Sequence, residues 1–193
     1  MKICIFADSS DSLPEIYFSE AEKLGRLIAE NSHTLIFGGG RGGLMGACAR
    51  GTVSRGGKVM GIAPRFFDEP GILYKEAGEF IFTDTMAQRK ALMEEKADSF
   101  ILLPGGIGSF EEFFETLTLK QLGRLRKPIV ILNTAGYYDK LIGLLRHTAS
   151  EGFMSKSCLG LYRLCSAPEE ALEKAVRPED TEGSIRRLSD YGK

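Results

Sequence analysis

Pro104-Gly105-Gly106-Ile107-Gly108-Ser109-Phe110-Glu111-Glu112 is the stretch whose residue types and spacing point most directly to chemistry. It joins a short apolar run, Ser99 to Leu103, to a helical pattern in which Phe110, Phe113, Phe114 and Leu117 recur at i, i+3, i+4 and i+7. A strand, a glycine turn and a helix start in that order leave N–H groups unpaired at the positive end of a helix dipole. That is a ready site for an anion, phosphate above all. Glycines suit it because a Cβ would hold the anion off the backbone. Ser109 and Glu112 also match a capping box, in which each satisfies the other's helix-start N–H. Three glycines so close together favour backbone lying against a ligand, with the cap as the rival reading.

Two further features bear on the same site. The helical stretch Asp84 to Ala97 carries a narrow apolar stripe of Met86, Met93 and Ala97, flanked by Arg89 and Lys90. Either both cations snorkel past the methionines to water, or this face aims them at an anion held by Gly105 to Ser109. Glu112 lies off the phenylalanine stripe and need not be buried. A carboxylate beside a bound sugar phosphate can orient water or stabilise an oxocarbenium-like transition state. Glu111 and Glu115 read as a solvated helix face. Gly38-x-Gly40-x-x-Gly43 satisfies the dinucleotide fingerprint literally. It follows the second strand, however, and no acid ends the third, where Ala63-Pro64-Arg65 stands. Arg65 is available to a 2′-phosphate, which keeps an NADP-dependent enzyme as an alternative.

The elements that must position these groups alternate. Strands are expected at Lys2–Ala7, Thr34–Phe37, Lys58–Ile62, Ile81–Thr83, Ser99–Leu103, Pro128–Leu132 and Leu161–Cys165. Helices are expected between them. Ser12 caps the first, whose buried face is Tyr17, Ala21, Leu24 and Ile28. A small-residue helix runs to Ser54, another spans Tyr137 to Ser150, and Ser166 to Glu169 caps the last. Arg65 to Phe80 is irregular, and its Phe66-Phe67 pair and Pro70-Gly71 turn suit a loop over a site. Several strands are unbroken apolar runs, which argues for a parallel sheet covered on both faces. The expected fold is α/β, a doubly wound (Rossmann-like) parallel sheet in a single domain, residues 1–176. Residues 177–193 form a polar C-terminal tail, either disordered or laid on a partner. Ligands on such sheets bind at the carboxyl ends of strands, where Ser9, Gly39, Gly40, Gly43 and Met45 become candidate substrate-binding residues.

The totals narrow the partners. Among 193 residues 43% are hydrophobic and 26% charged, as in an ordinary globular protein, and glycine, at 23, exceeds the usual share of about 7%. A net charge of −1 with interspersed signs offers no field to a nucleic-acid polymer. Cys4, Cys48, Cys158 and Cys165 show no metal-ligand spacing, and His33 and His147 stand alone, so no metal is expected. Unpaired thiols and the absence of a signal or membrane-length apolar run point to the cytoplasm and away from membranes.

Gly38 to Gly46, Met86-Ala87-Gln88-Arg89-Lys90 and Pro104 to Glu112 together resemble the LOG ("lonely guy") family. Its members are cytokinin riboside 5′-monophosphate phosphoribohydrolases, formerly labelled possible lysine decarboxylases. Gly61-Ile62-Ala63-Pro64, Gln121-Leu122-Gly123 and Gly136-Tyr137-Tyr138-Asp139 add to the likeness, which runs from Lys2 to about Cys165. The resemblance implies a hydrolase that cleaves the N-glycosidic bond of a nucleoside 5′-monophosphate, AMP or an N6-substituted AMP, to free base and ribose 5-phosphate. It implies that Arg89 and Glu112 are catalytic, and that Gly105, Gly106, Ile107, Gly108 and Ser109 hold the phosphate. Lys90 and Thr118 contact the nucleotide by the same likeness. It further implies a homodimer with the site at or near the interface, and no cofactor. A non-catalytic nucleotide-binding sensor is the alternative from another class. A pyridoxal-dependent decarboxylase lacks an identifiable Schiff-base lysine. Departures from the family pattern are Ala87 for His, Ser109 for Thr, Thr118-Leu119 for Thr-Trp, and Ala7-Asp8-Ser9-Ser10 for Cys-Gly-Ser-Ser. The last adds a carboxylate near the base or ribose.

Overall fold

The computed structural model describes residues 1–178. Along the chain run β1 (Lys2–Phe6), α1 (Glu15–Glu30), β2 (Thr34–Phe37), α2 (Gly43–Ser54), β3 (Lys58–Pro64), β4 (Glu79–Thr83), α3 (Met86–Lys96), β5 (Ser99–Leu102), α4 (Ile107–Gln121), β6 (Ile129–Leu132), α5 (Asp139–Ser150), β7 (Arg163–Cys165) and α6 (Pro168–Val176). The strands form one parallel sheet in the order β4-β3-β2-β1-β5-β6-β7. The expected doubly wound α/β sheet is therefore what the chain builds.

Each central strand is apolar beyond its first residue because both of its faces are buried. Ile3, Ile5 and Ala7 of the first strand and its exit join Ala21, Leu24, Ile28, Leu44 and Ala171, so α1, α2 and α6 cover one face. Cys4 and Phe6 point the other way, with Met93, Phe113, Leu117 and Ile142 from α3, α4 and α5. Among the described residues no helix is long and apolar enough to cross a membrane.

The strand order has one consequence for function. After β1 the chain moves to β2 on one side, whereas β5 occupies the other side of β1. The loops leaving β1 and β5 therefore part at their carboxyl ends and open a crevice between them.

Several local expectations are corrected. Ser12 does not cap α1: Pro14 holds the cap position, with no side-chain cap bond. Ser109 is not a cap either. Gly106, in an extended conformation, starts α4 at Ile107, which puts Ser109 inside the first turn and frees Glu112 from capping. A capping box does exist one helix earlier, between Thr85 and Gln88 at the start of α3. Ala167, not Ser166, precedes α6, and Pro168 supplies its first turn. Phe114 faces solvent, while Phe113 and Leu117 fill the core. The tail beyond Pro178 lies outside the described residues. Just before it, the carbonyls of Arg177 and Pro178 accept hydrogen bonds from Arg163 of β7.

Candidate active site

A cavity of about 540 Å3 occupies the crevice between the β1 and β5 loops. Its floor is set by two charged side chains from different helices. Arg89 sits one turn into α3, whose start is fastened by the Thr85–Gln88 box. Its Nε donates to the Ile62 carbonyl at the end of β3 (3.2 Å), and its Nη1 lies 3.0 Å from Glu112 Oε1. Arg89 is 6% exposed and Glu112 8%, so the snorkelling reading fails for Arg89 and the exposed reading fails for Glu112. A buried pair of this kind is costly to desolvate and holds only where the surroundings dictate its geometry. Gly38 supplies part of that dictation, because a Cβ there would lie 2.1 Å from Arg89 Nη2. Burial pushes the Glu112 carboxyl above the ordinary carboxylate range, and the guanidinium opposes that rise.

The cavity's second wall is the start of α4, with Gly106, Ile107, Gly108 and Ser109 all lining it. The Gly106 N–H is taken by Asp8 Oδ2 at 3.1 Å. The next three N–H groups, of Ile107, Gly108 and Ser109, have no acceptor within a helix by its geometry. The turn is held from behind: Tyr137 Oη donates to the Gly105 carbonyl (2.9 Å) and Tyr138 Oη to that of Leu103 (2.6 Å). Gly105 does not line the cavity. It makes room for Ser109, whose Oγ would lie 2.2 Å from a Cβ at that position.

The other glycine loop behaves differently. Gly43 N–H donates to Asp11 Oδ1 (2.7 Å), and the N–H groups of Leu44 and Met45 both donate to the Asp8 carbonyl (2.9 and 3.2 Å). The start of α2 is thus closed by the chain's own β1 loop. Gly43 has φ +59°, and a Cβ there would meet that carbonyl at 2.4 Å. With these amides occupied, the start of α2 has no open N–H groups of its first turn to hold a pyrophosphate as the dinucleotide fingerprint requires. Arg65 is exposed beside Asp84 (3.5 Å) and lies off the cavity.

An apolar wall completes the site. Met45, Met86, Phe67, Ile72 and Leu73 face it, the last three from the irregular segment between β3 and β4 that the sequence places over a site. None of Asp68, Glu69 and Glu76 in that segment, nor Glu79 at the start of β4, lines it; Asp68 pairs with Lys75 and Glu76 with Arg41. Asp8, Ser9 and Asp11 close the mouth.

Of the residues expected from sequence, Arg89, Glu112, Ser9, Gly40, Met45, Gly106, Ile107, Gly108 and Ser109 converge on this cavity. Gly39 and Gly43 lie behind its wall. Lys90 and Thr118 do not line it: Lys90 pairs with Glu111 and Glu115, and Thr118 Oγ1 donates to its own helix at Phe114. Asp11, Gly38, Met86, Ile72 and Leu73 are site residues that sequence reasoning missed. Gly38 and Met86 carried a signal, each as the first residue of its motif, and Ile72 and Leu73 lie in the loop expected over a site. No lysine lines the cavity, so among the described residues there is no candidate for a Schiff base.

A sequence model described as "Possible lysine decarboxylase" matches residues 45–175. The chain is 39% identical over 184 residues to the cytokinin riboside 5′-monophosphate phosphoribohydrolase LOG2 of Arabidopsis thaliana, covering 93% of this chain and 85% of that protein. It is 39% identical over 177 residues to a cytokinin riboside 5′-monophosphate phosphoribohydrolase of Rhodococcoides fascians, covering 91% and 89%. The chain belongs to the LOG family.

Its curated relatives are named as phosphoribohydrolases, and this LOG protein is an enzyme of the hydrolase class with them. The decarboxylase wording of the sequence model fits a cavity without lysine poorly. Among solved structures, the molybdenum cofactor carrier protein of Chlamydomonas reinhardtii superposes with a TM-score of 0.68 at 20% identity, over 89% of this chain and 93% of that one. That likeness bears on the fold alone.

Proposed function

We propose that this LOG protein hydrolyses the N-glycosidic bond of a nucleoside 5′-monophosphate, AMP or an N6-substituted AMP, giving free base and ribose 5-phosphate. One observation carries the reading. The Arg89–Glu112 pair and the open N–H groups of α4 line the same cavity, although they come from elements far apart in sequence.

The 5′-phosphate sits on the N–H groups of Ile107, Gly108 and Ser109, where the helix dipole favours it. The ribose then lies over Arg89 and Glu112. Glu112 accepts a proton from the attacking water or stabilises positive charge developing on the sugar ring. Arg89 keeps that carboxylate ionised and oriented, and its remaining N–H groups are available to the sugar phosphate or the leaving base. The apolar wall of Met45, Met86, Phe67, Ile72 and Leu73 suits a planar base, and an apolar N6 substituent extends that contact. We also propose a homodimer with the site near the interface, the assembly that the family resemblance implies; Ile107, 87% exposed at the rim of the cavity, is a residue that a second copy would cover. Light scattering on the purified protein tests that assembly.

The experiment for the activity is incubation with AMP and with N6-isopentenyl-AMP, following free base by chromatography. Release from either supports the reading, and no release from both by folded protein overturns it. The same assay answers the sensor alternative, which expects nucleotide binding without turnover in the wild type.

A further inference from the structure

We propose that Lys90 is a positioning residue, a tie between α3 and α4 that sets the Arg89–Glu112 geometry, rather than a ligand of the nucleotide. Only its kinetic readout rests on the hydrolase reading above. Lys90 follows Arg89 on α3, and Glu111 precedes Glu112 on α4, so two ion pairs span the same two helices at adjacent positions. The Lys90 ammonium contacts Glu111 Oε1 and lies 2.6 Å from Glu115 Oε2. Glu111 and Glu115 are one helical turn apart. A cation gripping both therefore fixes the rotation of α4 about its axis, which a single partner would leave free.

The need for such a tie follows from how the helices are carried. α3 packs on β3 and β4, whereas α4 packs on β1, so β2 separates their supports in the sheet. The ion pairs bridge that gap. The catalytic pair is too well buried to be self-sustaining: each partner has given up water, and a small rotation of α4 would strand both charges. Lys90 is itself only 14% exposed and borders a narrow void behind Glu112, together with Phe6, Glu94 and Glu115. To reach a phosphate on α4 it would have to abandon two carboxylates at once.

The test uses the full chain, with Lys90→Met, Lys90→Arg, and Glu111→Gln combined with Glu115→Gln. Thermal unfolding first confirms that each variant is folded. Lys90→Met is expected to lower kcat on the order of 30-fold with KM within threefold of wild type, because the reacting groups are misplaced while the phosphate site is intact. The double glutamine variant, whose changes lie outside the cavity, is expected to show the same split. Combining it with Lys90→Met adds little more, and Lys90→Arg restores most of kcat. A tenfold rise in KM with kcat preserved, or a double glutamine variant as active as wild type, overturns the proposal. A second readout is independent of turnover. The Arg89 Nε–H resonance, held against the Ile62 carbonyl in the wild type, is expected to shift and lose exchange protection in Lys90→Met. An unchanged resonance overturns the tie even if no nucleotide is ever cleaved, whereas a changed resonance with no base release from wild type sinks only the hydrolase reading.

Discussion

Gly38→Ala probes the site through a single methyl group. The added Cβ would lie 2.1 Å from Arg89 Nη2 and 3.3 Å from both its Cζ and Met45 Sδ, where ordinary contact begins at 3.4 Å. A long side chain usually yields to such a clash at little cost. Here the guanidinium is largely buried and tethered on both sides, by the Ile62 carbonyl and by Glu112. It must retreat by about 1 Å, and a displacement of that size at a reacting centre costs on the order of 100-fold in rate. That corresponds to about 2.7 kcal/mol of lost transition-state stabilisation. The assay is steady-state release of base from the preferred nucleotide, with thermal unfolding recorded in parallel. The expected result is a fall confined largely to kcat in a folded protein. Gly143→Ala on α5 is the control, since its Cβ would meet nothing within 4 Å and lies off the cavity, and is expected to retain activity within a few-fold. A Gly38→Ala enzyme within threefold of wild type would show that Arg89 moves freely, and would refute the claim that its position is dictated by the fold.

Glu112→Gln removes the charge while keeping the shape; turnover is expected to fall by roughly 10²–10⁴ with nucleotide affinity retained, read by calorimetry beside the base-release assay. Because burial raises the Glu112 carboxyl in the unliganded protein and the base form must be ionised, the acid limb of the kcat/KM profile should lie above the ordinary value of about 4.3, and a limb at or below that value would contradict it. Glu94 is pushed up to about 7 by burial and by the charge of Glu115, so the folded state holds its proton more tightly than the unfolded chain does. Its contribution to stability is thus full below about 4.5 and is lost as pH rises through 7, by about 2 kcal/mol once solvent screening of a half-exposed group is allowed for. Denaturant unfolding of Glu94→Gln at pH 4.5 and pH 8 should show that loss removed. Asp8 Oδ2 takes the Gly106 N–H beside the proposed phosphate site, and Asp8→Asn should tighten inorganic phosphate on the order of tenfold at low salt, measured by calorimetry.

Much of the fold was legible because its signals are local. Ile129 to Leu132 reads as a strand because it is short and apolar on both sides, and it is buried on both faces. Thr34–Phe37 and the small-residue α2 were equally plain. The failures were also physical. Counting Arg89 and Glu112 as polar put them at a helix margin, yet each is buried because the other is present. Ser109 looked like a cap because Ser-x-x-Glu is a cap wherever the backbone allows it; the extended Gly106 moved the start of α4 ahead of it. The fingerprint glycines looked like a phosphate cradle, and nothing local in them shows that Asp8 and Asp11 close the loop from 32 or more residues away.

Residue order alone determined that this chain makes alternating strands and helices, that a glycine turn starts α4, and that an arginine and a glutamate stand on successive helices. Strand order decided the rest. Setting β5 beside β1 parted the two loops, brought α3 alongside α4, and turned Arg89 onto Glu112 with Gly38 beneath it. Backbone preference is written within a few residues of where it acts, whereas the burial of a charge depends on what the rest of the molecule places around it.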